Sequence, residues 1–227
     1  SSFNIASVRQ GVLDIVGSDR AEVDLNHIYT AGIQAGESTG EGILPRTAVD
    51  FPADTEAMPL RIGMIDSQVD TAHPALRSAN IHTHSFATAG AVAPTFHGTA
   101  IASILVGNGG GYMGIAPSSE VFAASVFEQD PERGEIASTV SLVKALDWLI
   151  SSGVDVINIS LAGPPNRLLE AALQRASESD VIILAAAGNG GPVAQPMYPA
   201  AYNTVVAVTA VDADGKIFRL ANRGDYL

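Results

Sequence analysis

Asp66 and His97, two residue types that cooperate in proton transfer, stand thirty-one positions apart in this sequence. Asp66 ends a short apolar run, and His97 begins an apolar segment beside Gly98. A carboxylate that holds one ring N–H of a histidine stabilises the imidazolium, and the other ring nitrogen can then accept a proton. The pair therefore predicts a general base at the end of a strand, although an acidic strand cap and an exposed histidine would involve the same residue types.

Two later segments carry a candidate oxyanion donor and a candidate backbone edge for binding a peptide. Asn189 follows the small residues 186–188, and its side-chain amide could donate a hydrogen bond to a developing oxyanion. Residues 160–162 follow another apolar run and could offer a backbone edge to an extended peptide. The sequence thus combines candidate acid–base, oxyanion-binding and peptide-binding groups in one chain.

The elements that would position these groups form an alternating pattern. Short apolar runs, typical of buried parallel strands, lie at residues 62–65, 121–126, 156–160, 181–186 and 205–208. Apolar stripes between them predict helices through residues 136–150 and 169–176. Alternating strands and helices predict an α/β fold with a parallel sheet, whose site lies beyond the carboxyl ends of the strands.

Length and composition fit one folded domain and exclude several classes of protein. The chain has 227 residues, of which 47% are hydrophobic, and its formal net charge is −12. This hydrophobic content excludes a disordered chain, and the acidic balance argues against a protein that tracks nucleic-acid phosphates. The sequence contains no cysteine, so a disulfide framework and a thiol nucleophile are also excluded.

Residues 1–58 differ from the rest of the chain in composition and hydrophobic periodicity. They are turn-rich, with a Gly/Ser/Glu stretch at residues 35–42 and no sustained helical or strand period. We interpret residues 1–58 as an N-terminal extension, either the remnant of a pro-segment or a strand that packs on the domain. Residues 59–227 are expected to form the domain that carries the site.

The segments that carry these groups resemble, in this order, the motifs of the subtilisin-like serine peptidase family. They are residues 65–69 with 73–76, residues 97–99, residues 158–163 and residues 186–189. The similarity runs from about residue 60 to residue 227. It implies an α/β subtilisin-like parallel sheet with helices on both faces, of which the C-terminal part lies outside this sequence. The implied reaction is peptide-bond hydrolysis by an Asp-His-Ser triad.

The resemblance implies a role for each matching residue. Asp66 would orient His97, His97 would take the proton of a serine, and Asn189 would bind the oxyanion. The family's Gly-Thr-Ser segment does not occur in these 227 residues, and Ser103, Ser125 and Ser160 stand at packing or pairing positions. The serine is therefore expected on a segment after Leu227, either continuous with this chain or cleaved into a separate chain that stays bound. This chain alone is expected to be inactive.

The expected site follows from these roles. The predicted catalytic residues are Asp66, His97 and Asn189, and the predicted substrate-binding residues are Ser160, Leu161, Ala162, Ala186, Ala187, Gly188, Leu142 and Met197. Met197 would shorten the pocket for the side chain before the cut, which predicts a preference for small residues there. Leu142 and Leu161 would line a second apolar pocket. Packing of Met197 inside its own loop is the alternative.

The resemblance also sets expectations for cofactors, partners and compartment. No cofactor is required and no metal-binding residues are predicted, while calcium binding is left open with no ligands assigned. His82 and His84 share a strand face but lack a third ligand. The expected partners are a peptide or protein substrate and the C-terminal fragment with the serine, with no nucleic acid. The apolar runs are far shorter than the roughly 18 residues of a membrane span. The family and the missing initiator Met imply a secreted or periplasmic protein.

Two other classes of function compete with this interpretation. A catalytically inactive subtilisin-like binding module, or a truncated fragment, would keep the fold without the activity. A Rossmann-like nucleotide binder would share the alternating pattern, but no G-x-G-x-x-G motif follows the first strong strand. The sequence therefore favours the peptidase and leaves the inactive module as the alternative.

Overall fold

The computed structural model describes residues 4–20, 22–31, 43–51, 58–212 and 214–227, so the predicted turn-rich stretch 35–42 lies outside the described residues. The helices are α1 (Ile5–Val16), α2 (Pro45–Ala48), α3 (Phe96–Val106), α4 (Thr139–Ser151) and α5 (Arg167–Glu178). The strands are β1 (Ile28–Ala31), β2 (Arg61–Asp66), β3 (Asn80–Ser85), β4 (Asn108–Gly109), β5 (Tyr112–Met113), β6 (Glu120–Ser125), β7 (Glu128–Asp130), β8 (Gly134–Ser138), β9 (Val156–Ile159), β10 (Leu161–Ala162), β11 (Ile182–Ala186) and β12 (Val206–Val208).

A six-stranded parallel sheet forms the centre of the molecule. Its strand order is β12-β11-β9-β2-β6-β3, and every neighbouring pair in it is parallel. The predicted α/β class with a parallel sheet is confirmed, and each of the apolar runs forms one of its strands. Side chains alternate between the two faces along each strand, so the sheet has two distinct faces.

One face of the sheet is covered by α4 and α5. Ile157, Ile159 and Ile183 on this face belong to the same buried cluster as Leu146 and Leu173 of the two helices. Burying this much aliphatic surface, at about 25 cal/mol per Å² of apolar area, supplies the main driving force for the fold. This face serves as the structural side of the sheet.

The start of α4 differs from the sequence prediction. The apolar stripe predicted a helix from Ile136, but Ile136 lies in strand β8 and the helix begins at Thr139. Ser138 causes the change, because its extended backbone precedes the first turn and its Oγ accepts a hydrogen bond from Ser141 N at 3.2 Å. The helical spacing of Ile136 was therefore coincidental.

The opposite face of the sheet is only partly covered. Helix α3 packs on its β2 and β6 side, where Ile62 and Met64 are buried with Ala102 and Val106. Toward β11 and β12 the same face is exposed, with relative exposures of 58% for Ile182 and 54% for Val206. Single exposed apolar residues are ordinary, but neighbours on adjacent strands form a patch that requires an explanation.

The N-terminal residues contain a helix that the sequence analysis did not predict, and a strand of the kind it gave as one of two alternatives. Helix α1 forms with Asn4 as its cap, whose Oδ1 accepts a hydrogen bond from Ala6 N at 3.0 Å, and it has no buried residue. Strand β1 joins a second sheet of order β10-β1-β8-β7. No helix among the described residues is long and apolar enough to cross a membrane.

Candidate active site

Asp66 stands at the carboxyl end of the central strand β2. It is fully buried, and its Oδ1 accepts a hydrogen bond from the Ser67 N–H at 2.6 Å. Strands β9 and β6 flank β2 on either side, so the position of this carboxylate is fixed by the ladder of the sheet. A buried carboxylate requires a charged or hydrogen-bonded partner.

That partner is His97, the second residue of α3. Its Nδ1 lies 2.7 Å from Oδ1 and 2.8 Å from Oδ2 of Asp66, and the residue is 8% exposed. The helix can approach the strand this closely only because Gly98 follows, since a Cβ at that position would lie 2.3 Å from Ser67 O. Gly98 N donates to Ser67 Oγ at 2.7 Å and ties the two elements together.

The environment of His97 changes its basicity. Burial by itself lowers the pKa of the imidazole, but the hydrogen bond and the negative charge of Asp66, assisted by the charge of Glu135, outweigh it and raise the pKa above the ordinary 6.5. Because Nδ1 faces the carboxylate, the neutral ring carries its proton on Nδ1 and presents Nε2 as the acceptor. This is the tautomer that a general base needs.

A cleft of about 430 Å³ opens beside His97, beyond the carboxyl ends of β9 and β11. The residues that line it are His97, Ile101, Asn158, Ser160, Leu184, Ala185, Ala186, Ala187, Gly188, Asn189, Val208, Thr209 and Ala210. The structure therefore brings together the predicted residues Ser160, Asn189 and the small residues 186–188 with the Asp66–His97 pair. A parallel sheet places ligands at this edge.

Asn189 is presented to the cleft by a tight turn after β11. Gly188 has φ of +99°, and a Cβ there would meet the Met197 sulfur at 2.8 Å, so only glycine fits. Asn222 supports the turn from beneath, because its N–H donates to Gly188 O at 3.0 Å and its Oδ1 accepts from Gly190 N at 2.7 Å. An amide side chain held in this way can donate to an oxyanion.

The remaining predicted substrate-binding residues lie outside the cleft lining. Leu161 and Ala162 form β10, which pairs with β1 of this same chain. Leu142 is 1% exposed and belongs to the main core cluster together with Leu161 and Tyr29. Met197 packs its sulfur against Gly188, behind the cleft.

The three serines that the sequence analysis rejected as nucleophiles have hydroxyl groups in different environments. Ser103 Oγ donates to Thr99 O at 2.8 Å, and Ser160 Oγ accepts from Asn158 Nδ2 at 2.8 Å. Ser125 Oγ is buried with no hydrogen-bond partner among the described residues, although Ser125 stands beside Asp66 in the ladder. None of these three hydroxyls is hydrogen-bonded to His97.

The sequence analysis did not identify several residues that position the elements of the site. Ser67 ties β2 to α3, Asn222 supports the turn of Asn189, and Tyr29 fills a pocket beside Gly163. Ser67 follows Asp66 directly, and a hydroxyl beside a catalytic carboxylate was a usable signal. Asn222 and Tyr29 reach the site only through tertiary packing, and no local pattern marks them.

Metal binding has no geometric support in the part of the chain that the structure describes. No group of three or more His, Cys, Asp or Glu residues there could hold a metal ion. His82 Nε2 lies 2.8 Å from Glu120 Oε1, and His84 instead contacts the Phe86 ring, with centroids 4.6 Å apart. The two histidines on one strand face are thus engaged with side chains of the protein.

The sequence of this chain matches a known family. A model of the subtilase family matches residues 60–227. The chain belongs to the subtilase family. It is 30% identical over 178 residues to the subtilisin of Bacillus pumilus, which covers 74% of this chain and 62% of that protein. It is 32% identical over 169 residues to the minor extracellular protease Epr of Bacillus subtilis (strain 168), which covers 73% of this chain and 25% of that protein.

Solved structures of several proteases resemble this subtilase. The prenylagaramide maturation protease PagA superposes with a TM-score of 0.65 at 28% identity, covering 80% of this chain and 64% of that one. The patellamide maturation protease PatA gives a TM-score of 0.62 at 29% identity, covering 74% of this chain and 62% of that one. The chain therefore spans less than two thirds of the length of each of these four relatives.

Proposed function

We propose that this subtilase is a serine endopeptidase whose general base is His97 and whose nucleophile lies on a segment that packs against the open sheet face. The observation that carries the proposal is the buried contact of 2.7 Å between His97 Nδ1 and Asp66 Oδ1 at the edge of the cleft. A solvated surface pair would not need to be buried, and a purely structural pair would not need to line a cleft.

The reaction follows from the positions of these groups. The serine Oγ attacks the carbonyl carbon of the scissile bond while His97 Nε2 takes its proton, and Asp66 stabilises the imidazolium through Nδ1. The carbonyl oxygen becomes an oxyanion that accepts a hydrogen bond from the Asn189 amide. The imidazolium then donates its proton to the leaving amine, and water hydrolyses the acyl-enzyme with His97 again as the base.

The open sheet face is the place we propose for the serine. Ile182 and Val206 form an exposed patch on this face, and the cleft at its edge contains His97. A helix with an apolar side could cover the patch and bring a serine at its end within hydrogen-bond reach of His97 Nε2. The segment could continue from this chain or stay bound after cleavage.

Substrate would bind as an extended peptide. We propose that the backbone of Ser160, Leu161 and Ala162 pairs with it, and that Met197 limits the pocket for the side chain before the cut. Peptides with Ala or Ser at that position should then be hydrolysed faster than peptides with Phe or Leu. Comparing kcat/KM for a peptide series varied only at that position tests this preference, and faster cleavage after Phe or Leu would contradict it.

The chemistry of this site needs no cofactor, and we propose that none takes part in the reaction. We propose a secreted or periplasmic location, which is supported by the family and by a relative described as extracellular. Calcium could stabilise the fold without entering the reaction. Activity that persists in a strong calcium chelator at low temperature would support this separation.

The experiment that tests the proposed function measures hydrolysis of a denatured protein by the full protein with any polypeptide that copurifies with it. The His97→Ala variant should lose the activity, whereas the control variant His84→Ala should keep it, because His84 contacts only Phe86 and Trp148 among the ring neighbours in the described residues. Hydrolysis that survives His97→Ala would overturn the proposal. Folded protein with no hydrolysis at all would favour the inactive binding module.

A further inference from the structure

Helix α3 is apolar on two opposite sides. Ala102 and Val106 face the sheet and are buried, whereas Phe96 and Ile104 on the outer side are 82% and 42% exposed. A helix that is apolar all round is normally buried on every side. The outer side of α3 is therefore the kind of surface that an interaction partner covers.

The charge distribution bears on which partner this is. Residues 78–119, which include α3, contain no Asp, Glu, Lys or Arg, although 16% of the whole chain is charged and its formal net charge is −12. Two copies of so acidic a chain repel each other, and the repulsion is weakest between surfaces that carry no charge. The uncharged outer side of α3 is thus a place where two copies can meet.

A cavity of about 570 Å³ opens on this side of α3, beside Ile104. Its walls include Ala100, Ile104, Pro74 and the ring of Tyr112 in β5. Tyr112 packs on Gly107, where a Cβ would lie 2.8 Å from its Cε1, so the wall that it forms is held in place. A cavity of this size with apolar walls has room for an aromatic ring.

The exposed ring and the cavity are spaced symmetrically about Ala100. Phe96 lies four residues before Ala100 and Ile104 lies four residues after it, so the three form one i±4 ridge of the helix. A two-fold axis through Ala100 places Phe96 of each copy, about 6 Å from the axis, over Ile104 of the other. Ala100 carries only a methyl group, so two helices can approach closely at this position.

The same axis accounts for a second cavity. This cavity, of about 350 Å³, lies beside Phe96 and shares Ala100 and Ser103 with the first. An antiparallel pair of α3 helices places Ile104 of one copy over it. Asp70 lines its rim, and because it stands at the Phe96 end, the two carboxylates of the pair lie at opposite ends of the contact.

We propose that the outer side of α3 is a homodimer interface, in which two antiparallel α3 helices meet about a two-fold axis at Ala100 and Phe96 of each copy fills the cavity beside Ile104 of the other. The dimer requires neither the serine nor peptide hydrolysis. His97 and Ile101, which line the cleft, lie on the neighbouring ridge of α3. Each copy therefore keeps its cleft on a different side of the helix from the interface.

The experiment measures the mass of the full protein, with any polypeptide that copurifies with it, by sedimentation equilibrium between about 1 and 500 µM. A contact of two helices belongs to the small, reversible interfaces, so we expect the mass to double with a dissociation constant of about 1 to 100 µM. Phe96→Ala, which removes the ring from both cavities, should weaken the dimer at least about tenfold. One mass at every concentration, equal to that of a single copy, would overturn the proposal.

A charge at the axis provides a matched pair of variants. Ala100→Asp sets two carboxylates against each other across the two-fold axis and should weaken the dimer at least about 30-fold. The control Ala171→Asp makes the same change at an exposed helical position in α5 and should leave the dissociation constant within about twofold of the wild-type value. Equal effects of the two substitutions would mean that α3 is not the interface.

A cysteine at the axis gives a test that does not depend on the folding of Ala100→Asp. The sequence has no cysteine, so Ala100→Cys supplies one thiol per chain. Helix axes 8 to 10 Å apart leave the two Cα atoms at the axis about 5 Å apart, within the reach of a disulfide. Mild oxidation should link Ala100→Cys into a covalent dimer at least about tenfold faster than Ala171→Cys, and equal rates would overturn the proposal.

Discussion

The two faces of the central sheet differ in how far their apolar side chains are buried. On the face covered by α4 and α5, Ile157 and Ile183 are 0% and 1% exposed, whereas Ile182 and Val206 on the other face are 58% and 54% exposed. The covered face determines the fold, since its apolar side chains bury most of their area. The open face meets the cleft that contains His97, so the incomplete packing lies where we propose that a nucleophile must arrive.

The largest effect on kcat should come from removing the buried negative charge of Asp66. Asp66→Asn keeps the size of the side chain but favours the wrong tautomer of His97, and kcat for peptide hydrolysis should fall by about 10⁴-fold. The control is Asp147→Asn, whose carboxylate is 66% exposed and pairs with Arg175 at 3.4 Å, and it should change kcat less than about twofold. A loss of equal size in both variants would remove the distinction between the two sites.

Asn189→Ala should give the next largest effect. Loss of one oxyanion donor lowers kcat by about 10²- to 10³-fold and leaves KM nearly unchanged, because the hydrogen bond forms mainly in the transition state. Steady-state kinetics with one peptide substrate measure both constants. A rise in KM with unchanged kcat would instead show that Asn189 binds the ground state.

Alanine substitutions at two neighbouring isoleucines of β11 compare how much each face of the sheet contributes to stability. Ile183→Ala on the covered face should lower the free energy of unfolding by about 2 to 5 kcal/mol, since the cavity lies within the main core. Ile182→Ala on the open face should cost less than about 1 kcal/mol in this chain. Urea denaturation followed by circular dichroism measures both values. A similar cost for the two variants would mean that something in this chain already covers the open face.

The smallest expected effect is a change in the pKa of one residue, His97. Asp66 holds the pKa of His97 above 6.5, so Asp66→Asn should lower the pKa of His97 in an NMR titration of its ring protons. Because the folded pKa is raised, the stabilising contribution of His97 is complete below the unfolded pKa and is lost as pH rises through the folded pKa. Peptide hydrolysis should show the opposite dependence and rise over this range as His97 becomes neutral. An unchanged pKa in Asp66→Asn would show that Asp66 does not set the basicity of His97.

The sequence predicted the covered face better than the open one. Five of the six strands of the parallel sheet were visible as runs of apolar residues, whereas the polar edge strand β3 was not. Asp66, His97 and Asn189 could be placed because strand and helix ends determine where they emerge. The start of α4 could not be placed, since the helical spacing of Ile136 concealed the cap at Ser138. Local periodicity carries no information about a cap that acts through one hydroxyl.

The pairing of strand β1 with β10 was predicted only in part. Residues 160–162 were recognised as an edge for a peptide, but nothing in residues 28–31 indicated that they would fill it. Pairing between β1 and β10 links residues that are at least 130 positions apart in the sequence. A four-residue strand has too short a pattern to predict such a partner. Two hydrogen bonds just before β1 likewise depend on helices that are distant in the sequence: Asp24 Oδ2 accepts from Arg167 N of α5, and Asn26 Oδ1 accepts from Val140 N of α4.

The most direct test of the account is labelling of the full protein, with its copurifying polypeptides, by a serine-directed fluorophosphonate, followed by peptide mapping. The account predicts one labelled serine in a Gly-Thr-Ser segment outside residues 1–227, and loss of the label in His97→Ala. A label on a serine within residues 1–227, or a label that survives His97→Ala, would contradict the claim that His97 activates a nucleophile on the open face.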